Sequence, residues 1–216
     1  MAEPCKVRPR GECWEIMRLP IADHDGGTLP QWSRMDAAVA VGTRFICWVD
    51  YNSGLFLCDM ADDGSSHKLL YVPLPVPLPE EHRRSRTRER LYLPYCRNLG
   101  AAGLEAVRFV SVAPRCCSGG HGKNSCERSR FAFNTTIWTL TLKDGPMTWV
   151  KDGVLDCDEL WQLPNYGRLP RVAPQYPIVS SDNPDVVCFL LCEDHYYIDN
   201  ADETVWLLEI DTKTVV

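Results

Sequence analysis

The side chains best suited to binding a metal lie close together near the middle of the chain: they are Cys116, Cys117, His121 and Cys126. Zinc prefers thiolate and imidazole ligands in a tetrahedron, and the glycines between these residues would allow a tight loop. The first two cysteines are adjacent, however, and neighbouring side chains of an extended chain point to opposite sides. Because the two thiolates would converge poorly on one ion, we predict a structural loop with idle thiols and no bound metal.

The same loop carries Gly122-Lys123-Asn124-Ser125, which is similar to part of a phosphate-binding loop. That motif needs Ser or Thr directly after the lysine, and a helix whose N-terminal N–H groups face the phosphate. Asn124 stands at the hydroxyl position and the segment that follows is a predicted strand. We therefore predict neither phosphate binding nor a cofactor.

Two groups of carboxylates raise the question of acid–base catalysis: Asp156, Asp158 and Glu159 form one, and Asp194, Asp199 and Asp202 form the other. Such catalysis requires a cleft that separates the pKa values of the paired groups. Both groups fall in predicted loops, the first including one helical turn with Asp158 as N-cap, where capping and solubility explain them. The motifs of serine hydrolases, zinc proteases and dinucleotide-binding enzymes are missing from the sequence. We therefore predict no catalytic residue and no enzyme activity.

The elements that would position these side chains are β-hairpins. An apolar strand, a polar turn and a second apolar strand occur together three times, at residues 55–72, 137–150 and 205–216. Strand-forming residues bounded by Asp, Gly and Ser are the usual hairpin signal. Their wide and roughly even spacing is typical of radially repeated β folds.

The first hairpin is the centre of a larger predicted unit. Residues 38–50 add two strands before it, which makes a four-stranded meander. Pro73, Pro75, Pro77 and Pro79 then fall at every second residue, so one edge of the chain there lacks N–H donors. Since proline is confined to sheet edges, we predict that no further strand pairs along this edge. A polyproline ligand would need PxxP spacing, which this run lacks.

These patterns predict an all-β fold: an incomplete or open β-propeller-like array of about three antiparallel blades, with a β-sandwich as the alternative. Residues 1–34 are predicted to be a loosely structured N-terminal lead-in, and residues 35–216 a single all-β domain. Trp48, Trp138 and Trp206 are predicted to pack in the core between blades. An open array would also leave one flank, lined by residues such as Trp138 or Trp206, without a neighbouring blade.

Composition limits the partners and the compartment. The net charge of −6 disfavours a general binder of nucleic acids or membranes. The arginine-rich run at residues 80–90 is balanced by acid and lacks aromatic residues, so we predict a solvated loop there. No stretch approaches the roughly 18 consecutive apolar residues of a membrane span, and the start lacks the apolar core of a secretory signal. The eleven cysteines are therefore predicted to be reduced thiols in the cytoplasm or nucleus.

Several short phrases occur together in a distinctive order: CWVDY at 47–51, GLFLCD at 54–59, YVPLP at 71–75, RCC at 115–117, SC at 125–126, WTL at 138–140, ELW at 159–161, LP at 169–170 and VSSDNPDVV at 179–187. Over about residues 36–216 the chain resembles the plant family called domain of unknown function 1618, which is greatly expanded in grasses. The resemblance implies a relative of propeller-type plant domains with no established activity and no catalytic residues to carry over. Some such domains accompany F-box segments, but no F-box-like helical segment is visible in this sequence.

The function predicted from these observations is a non-enzymatic protein-interaction module of unknown pathway in a plant cell, with an unknown protein partner or self-association. The alternative is an enzyme or a small-ligand-binding domain that uses the loop at residues 113–128. Binding of a ligand to the native state alone would raise the thermal stability, and this would separate the two hypotheses.

Overall fold

The structure is a computed structural model that describes residues 5–7, 14–16, 20–23, 35–61, 69–77, 93–115, 132–143, 147–192 and 204–215. Its regular elements are mostly β-strands, which confirms the prediction of an all-β fold. The chain divides into two compact units, Met1–Leu74 and Pro75–Val216. A lead-in over residues 1–34 followed by one domain over residues 35–216 stays a prediction.

The first unit contains a two-stranded hairpin and a five-stranded sheet. The hairpin strands are β1 (Cys5–Val7) and β2 (Trp14–Ile16). The strands of the sheet are β3 (Ile21–Asp23), β4 (Ala37–Val41), β5 (Phe45–Asp50), β6 (Gly54–Asp59) and β7 (Leu69–Pro73). In the spatial order β3-β7-β6-β5-β4, the last four form the predicted antiparallel meander, which includes the first hairpin.

The pairing of β3 with β7 shows that the prediction of an unpaired edge was wrong. The two strands are parallel, with a register that runs from Ile21 opposite Leu69 to Asp23 opposite Tyr71. This register ends before Pro73, the first of the alternating prolines. The prolines lack N–H donors, but the residues of β7 that precede them do not. They therefore mark where pairing along this edge stops, and they leave the start of β7 able to accept a neighbour.

The turn between β5 and β6 is built by a buried carboxylate. Asp50 is 5% exposed and accepts hydrogen bonds from the Asn52 N–H and the Ser53 hydroxyl, both at 2.9 Å. A Cβ atom at Gly54 would lie 2.5 Å from the Val72 carbonyl oxygen, so only glycine permits this approach of β6 to β7. Asp50 of the CWVDY phrase and Gly54 of the GLFLCD phrase therefore have structural roles.

The described residues of the second unit form two antiparallel sheets and three short helices. Its elements are α1 (Leu93–Cys96), β8 (Arg97–Ala101), β9 (Ala106–Pro114), β10 (Phe133–Thr141), β11 (Trp149–Asp156), α2 (Cys157–Gln162), β12 (Gln175–Val179), β13 (Val186–Leu191), β14 (Trp206–Asp211) and α3 (Thr212–Val215). One sheet has the order β11-β10-β9-β8 and the other the order β12-β13-β14, so each is a meander of consecutive strands. Among the described residues, no helix has the length and apolar character needed to cross a membrane.

A single apolar core joins the two sheets of the second unit. Its buried members from the four-stranded sheet and the loops around it are Val110, Val112, Phe133, Ile137, Leu155, Cys157, Leu160, Tyr166 and Val172, and those from the three-stranded sheet are Val179, Val187, Phe189, Leu191 and Ile210. Strands β8 and β12 approach so closely that a Cβ atom at Gly100 would lie 2.6 Å from the Val179 Cβ atom. The described sheets do not close into a ring or barrel.

The second and third predicted hairpins have opposite outcomes. Strands β10 and β11 form the second hairpin as predicted, whereas the third is wrong because Thr212–Val215 is the short helix α3. The side chain of Asp211 accepts a hydrogen bond from the Lys213 N–H at 2.9 Å, which favours a helical turn. The Thr212 N–H and hydroxyl both donate to the Asp185 carbonyl oxygen, at 2.8 and 2.9 Å. The chain is thus held against the turn before β13, and β14 pairs with β13 instead.

The three tryptophans contribute to apolar packing, as predicted. Trp138 is 9% exposed, and its ring lies 5.7 Å from that of Phe109. Trp48 and Trp206 are partly buried against apolar clusters. Trp138 therefore does not lie on an exposed flank, and the prediction that named it as a flank residue was wrong.

Candidate interaction surface

The three-stranded sheet β12–β14 carries large apolar side chains on both of its faces. Side chains alternate between faces along a strand, and in β13 the inward set is Val187, Phe189 and Leu191, all buried in the core. The outward set is Val186, Cys188 and Leu190, which are also apolar. A strand with one face in water normally alternates apolar and polar residues, so the outward face of β13 is unusual.

The register of the sheet extends this outward face across all three strands. Ile178 of β12 lies opposite Cys188, and Leu207 of β14 lies opposite Leu190. Ile178 is 55% exposed, Leu207 is 64% exposed, and Val205 at the start of β14 is 45% exposed. We call the set Ile178, Cys188, Leu190, Val205 and Leu207 the outer patch. Large aliphatic side chains are therefore held in water on a regular sheet.

Two acidic side chains lie on the same face: Glu209, and Asp211 opposite Val186. Glu209 of β14 is exposed and lies opposite Cys188. Burial raises the pKa of the Cys188 thiol, and the negative charge of Glu209 raises it further. Because the thiol stays protonated, Cys188 acts as a small apolar residue beside the carboxylate. Glu209 and Asp211 thus place two negative charges beside the aliphatic surface of the outer patch.

Sequence reasoning identified β13 and β14, but it missed β12, which it read as part of a proline-rich loop, and it missed the exposed face of the sheet. The available signal was the uninterrupted apolar run Val186–Leu191, which lacks the alternation of a half-buried strand. Such a run is equally typical of a strand covered on both sides. Only the tertiary structure reveals that one side is open.

The carboxylates near residue 156 were expected to cap a helical turn, and the structure confirms the turn while correcting the cap. The N-cap of α2 is Asp156 rather than Asp158: its side chain accepts from the Asp158 N–H at 2.9 Å. The Glu159 side chain accepts from the Asp156 N–H at 3.1 Å, which completes a capping box. The side chains of Asp156 and Glu159 therefore both accept hydrogen bonds from backbone N–H groups at the start of α2.

The third carboxylate shares a cation with the first. The Arg115 Nη1 atom lies 2.9 Å from the Asp156 Oδ1 atom and 2.5 Å from the Asp158 Oδ2 atom. Hydrogen bonding to Asp158, then to the Cys157 sulfur, and the charge of Asp156 raise the pKa of Arg115. One ligand atom each from Asp156, Cys157 and Asp158 lies within 4.8 Å of the others, but the guanidinium already supplies a positive charge there.

A second arginine ties the two sheets of the second unit together. Arg108 of β9 places its Nη1 atom 3.2 Å from the Asp185 Oδ1 atom, and the same nitrogen donates to the Pro184 carbonyl oxygen. Its Nε atom lies 3.7 Å from the Asp152 Oδ2 atom. The Lys213 Nζ atom lies 2.5 Å from the other Asp185 oxygen. The SSDNPD phrase at residues 180–185 therefore connects the two sheets, because Arg108 of β9 binds Pro184 and Asp185 within it.

The zinc candidates Cys116, Cys117, His121 and Cys126 lie outside the described residues, as do residues 122–125 and the acidic group Asp194, Asp199 and Asp202. Of the loop at residues 113–128, the structure describes only residues 113–115. The hypotheses that concern these residues stay predictions.

A cavity in the second unit lies between the two sheets. It has a volume of about 10 Å³ and is lined by residues that include Ile137, Leu155, Phe189 and Ile210. Sites for small organic ligands usually have volumes of roughly 300–1,000 Å³. This space holds one water molecule at most and is a packing gap.

The cysteines of the described chain are poorly suited to chemistry. Six of them are free thiols. Burial raises the pKa of Cys47 to about 12, and burial also raises the pKa values of Cys58 and Cys96. A nucleophile or a metal ligand requires the thiolate form, which these environments disfavour.

Comparison with known proteins places the chain in one family. No curated protein and no solved structure matches it. The family model described as "Protein of unknown function (DUF1618)" matches residues 48–188, which contain β6–β12, the second half of β5 and the first half of β13. Because this match covers more than half of the chain, the protein belongs to the DUF1618 family.

Proposed function

We propose that this chain is a non-enzymatic protein-interaction module, and that its contact surface is the outer patch on β12–β14. The observation that carries the proposal is the exposure of Ile178 and Leu207, at 55% and 64%, on a regular sheet whose other face fills the core. Contiguous exposed apolar surface on a soluble domain usually marks an association site. A protein partner that covers the patch would remove this apolar surface from water.

The proposal extends to the architecture. We propose that the sheets are blades of an open propeller-like array. Each larger sheet contains a meander of consecutive antiparallel strands, as a blade does, and the two sheets of the second unit share one core. Sandwiches of the immunoglobulin type exchange strands between their sheets, so the meander order favours blades. In an array that does not close, the face of a terminal blade has no neighbour.

The charges around the outer patch favour a protein over a nucleic acid as the partner. Glu209 lies beside the patch on the same face, and the chain carries a net charge of −6. A nucleic-acid site is instead built from Lys and Arg that neutralise phosphates. We further propose that the protein acts in the cytoplasm or nucleus of a plant cell.

The proposal is tested by changing the patch without changing the core. Ile178→Lys and Leu207→Lys are combined in one variant, and Leu104→Lys is the matched control because Leu104 is 75% exposed outside the three-stranded sheet. Tagged proteins are expressed in plant cells, co-purifying proteins are quantified, and each candidate partner is purified and titrated against the three forms. We expect at least one partner that binds the wild type and the Leu104 variant directly but loses most of its affinity for the double variant.

Two controls keep this result specific. Thermal unfolding of the three proteins must give similar midpoints, so that lost binding does not reflect lost folding. The proposal fails if every partner that binds directly does so equally well to the wild type and the double variant.

A further inference from the structure

The pairing of β14 with β13 determines which backbone N–H and C=O groups of β14 point away from β13. The bond from the Thr212 N–H to the Asp185 carbonyl oxygen flanks the pair Val186–Asp211, which is therefore a non-hydrogen-bonded pair of the antiparallel ladder. Hydrogen-bonded and non-hydrogen-bonded pairs alternate along such a ladder. The next non-hydrogen-bonded positions in β14 are thus occupied by residues 209 and 207.

Residues at those positions direct their backbone groups away from β13. The N–H and C=O groups of Leu207 and Glu209 consequently lie on the free edge of β14. Among the described strands, β14 pairs only with β13. The four-stranded sheet of the same unit has one more strand than this sheet, so the position beyond β14 corresponds to a fourth strand.

The charges on this edge protect it against acidic strands only. Exposed edges are commonly blocked by proline, by charged side chains, especially lysine, or by a β-bulge. The charged residues of β14 are Glu209 and Asp211, which repel an acidic strand and attract a basic one. The sequence of β14 is WLLEID, with no proline or lysine, and its register with β13 is continuous from Trp206 to Asp211. A straight edge of this kind is a template for an added strand.

The side chains beside the edge define the chemistry of such a strand. Leu207 and Glu209 both point to the outer face, two residues apart. Residues of an added strand that lie opposite them would point to the same face. An apolar residue would contact Leu207, and a Lys or Arg would contact Glu209, with the same spacing of two residues.

Charge argues against a second copy of this chain as the added strand. Antiparallel pairing of two β14 edges would bring two copies of Glu209 and Asp211 onto one short ribbon, and each chain already carries a net charge of −6. Like charges on neighbouring strands are destabilising. An extended basic and apolar segment has no such penalty.

We propose, on the basis of the interaction function proposed above, that β14 binds an extended segment of a partner protein as an additional strand. The segment carries an apolar residue opposite Leu207 and a Lys or Arg opposite Glu209. Its backbone pairs with the edge groups of these two residues, and its apolar side chain extends the outer patch.

The probe is a fluorescein-labelled synthetic peptide of valine and threonine in alternation, with leucine and lysine two residues apart on one face. A second peptide has glutamate in place of that lysine. A third is N-methylated at the backbone amides that would donate to β14. Binding to the purified full chain is measured by fluorescence anisotropy. We expect the lysine peptide to bind about tenfold more tightly than the glutamate peptide, because the pairing with Glu209 changes from attractive to repulsive.

A charge reversal sharpens the test. Glu209→Lys should reverse the preference, so that the glutamate peptide binds more tightly. N-methylation should weaken binding of the lysine peptide about tenfold or more, since it removes donors to the edge. The N-methyl groups are on the peptide, so this result is independent of the folding of the protein.

Other outcomes would overturn the edge proposal without affecting the proposed function. If the N-methylated peptide binds as well as its parent, the peptide occupies the face and not the edge. If no peptide binds while cellular partners are still lost from the Ile178→Lys, Leu207→Lys variant, the outer patch binds proteins by another mode. A wild-type dimer in sedimentation analysis that Glu209→Lys dissociates would identify a second copy as the occupant.

Discussion

The two faces of the three-stranded sheet are similar in composition but differ in what covers them. The inward residues Phe189 and Leu191 are at most 1% exposed and belong to the core of the second unit, whereas Ile178 and Leu207 on the outward face are more than half exposed. Only the apolar residues of the inward face are therefore buried in the core on folding. The comparison predicts that substitutions on the inner face change stability, and that those on the outer face change association.

The largest effect is expected for the inner face. Phe189→Ala removes a fully buried ring and should lower the free energy of unfolding by about 3–5 kcal/mol. Leu190→Ala, the neighbouring residue on the outward face, should lower it much less because Leu190 is only half buried. Urea unfolding of both variants measures the difference. Equal losses would mean that the two faces are equally important for folding.

A somewhat smaller effect is expected where the two sheets approach each other. Gly100→Val places a Cβ atom 2.6 Å from the Val179 Cβ atom, and such overpacking should lower stability by about 1–3 kcal/mol. Val179→Ala in the same chain should restore part of this loss, because it makes room for the new side chain. A double-mutant cycle of unfolding free energies tests the coupling, and strictly additive effects would show that the two positions are not in contact.

The ion pairs at Asp185 predict a pH dependence. Hydrogen bonds from Lys213 and Arg108 lower the pKa of Asp185. A carboxylate whose folded pKa is lowered contributes stability above its unfolded pKa, and this contribution is lost as the pH falls through the folded value. Asp185→Asn should thus lower stability at pH 7, but by no more than about 1 kcal/mol because solvent screens these partly exposed ion pairs.

The difference between the wild type and Asp185→Asn should decrease as the pH falls below about 4, the ordinary pKa range of aspartate. Unfolding curves recorded from pH 7 to pH 3 provide the measurement. A difference that is constant over this range would assign the effect of the substitution to the amide and not to the lost charge.

The smallest effect on stability is expected on the outer face. Leu207→Lys changes a side chain that is already 64% exposed, so the unfolding free energy should stay within about 0.5 kcal/mol of the wild type. Self-association or partner binding should nevertheless decrease. A loss of stability comparable to that of Phe189→Ala would show that Leu207 is covered in the folded monomer.

The sequence predicted the local elements better than their assembly. The hairpin β6–β7 and the meander before it followed from β-branched and aromatic runs separated by Asp and Gly, since turn chemistry is a local property. The third hairpin failed because the backbone of Thr212 is bonded to Asp185, a residue distant in the sequence. The strand β3 was missed for the same reason: its partner β7 lies beyond three other strands, and no local pattern specifies that pairing.

The candidate site could not be predicted from local patterns either. The run Val186–Leu191 indicates a strand with two apolar faces, but whether a face is covered depends on which sheet packs against it. The helical turn after Asp156 was predicted because capping is decided within one turn of helix, although the N-cap was assigned to Asp158 instead of Asp156. The exposed face of β12–β14 requires the complete arrangement of the second unit.

The most direct test of the central claim is site-specific photo-crosslinking in plant cells. A photoreactive phenylalanine analogue is placed at Leu207 or Ile178 in the outer patch, or at the exposed Leu104 as the control. We expect a discrete adduct with the same protein partner from both patch positions. That adduct should be absent from the control position and reduced by excess wild-type protein but not by the Ile178→Lys, Leu207→Lys variant. Identical adduct patterns from all three positions, or no adduct from either patch position, would contradict the claim that the outer face binds a protein.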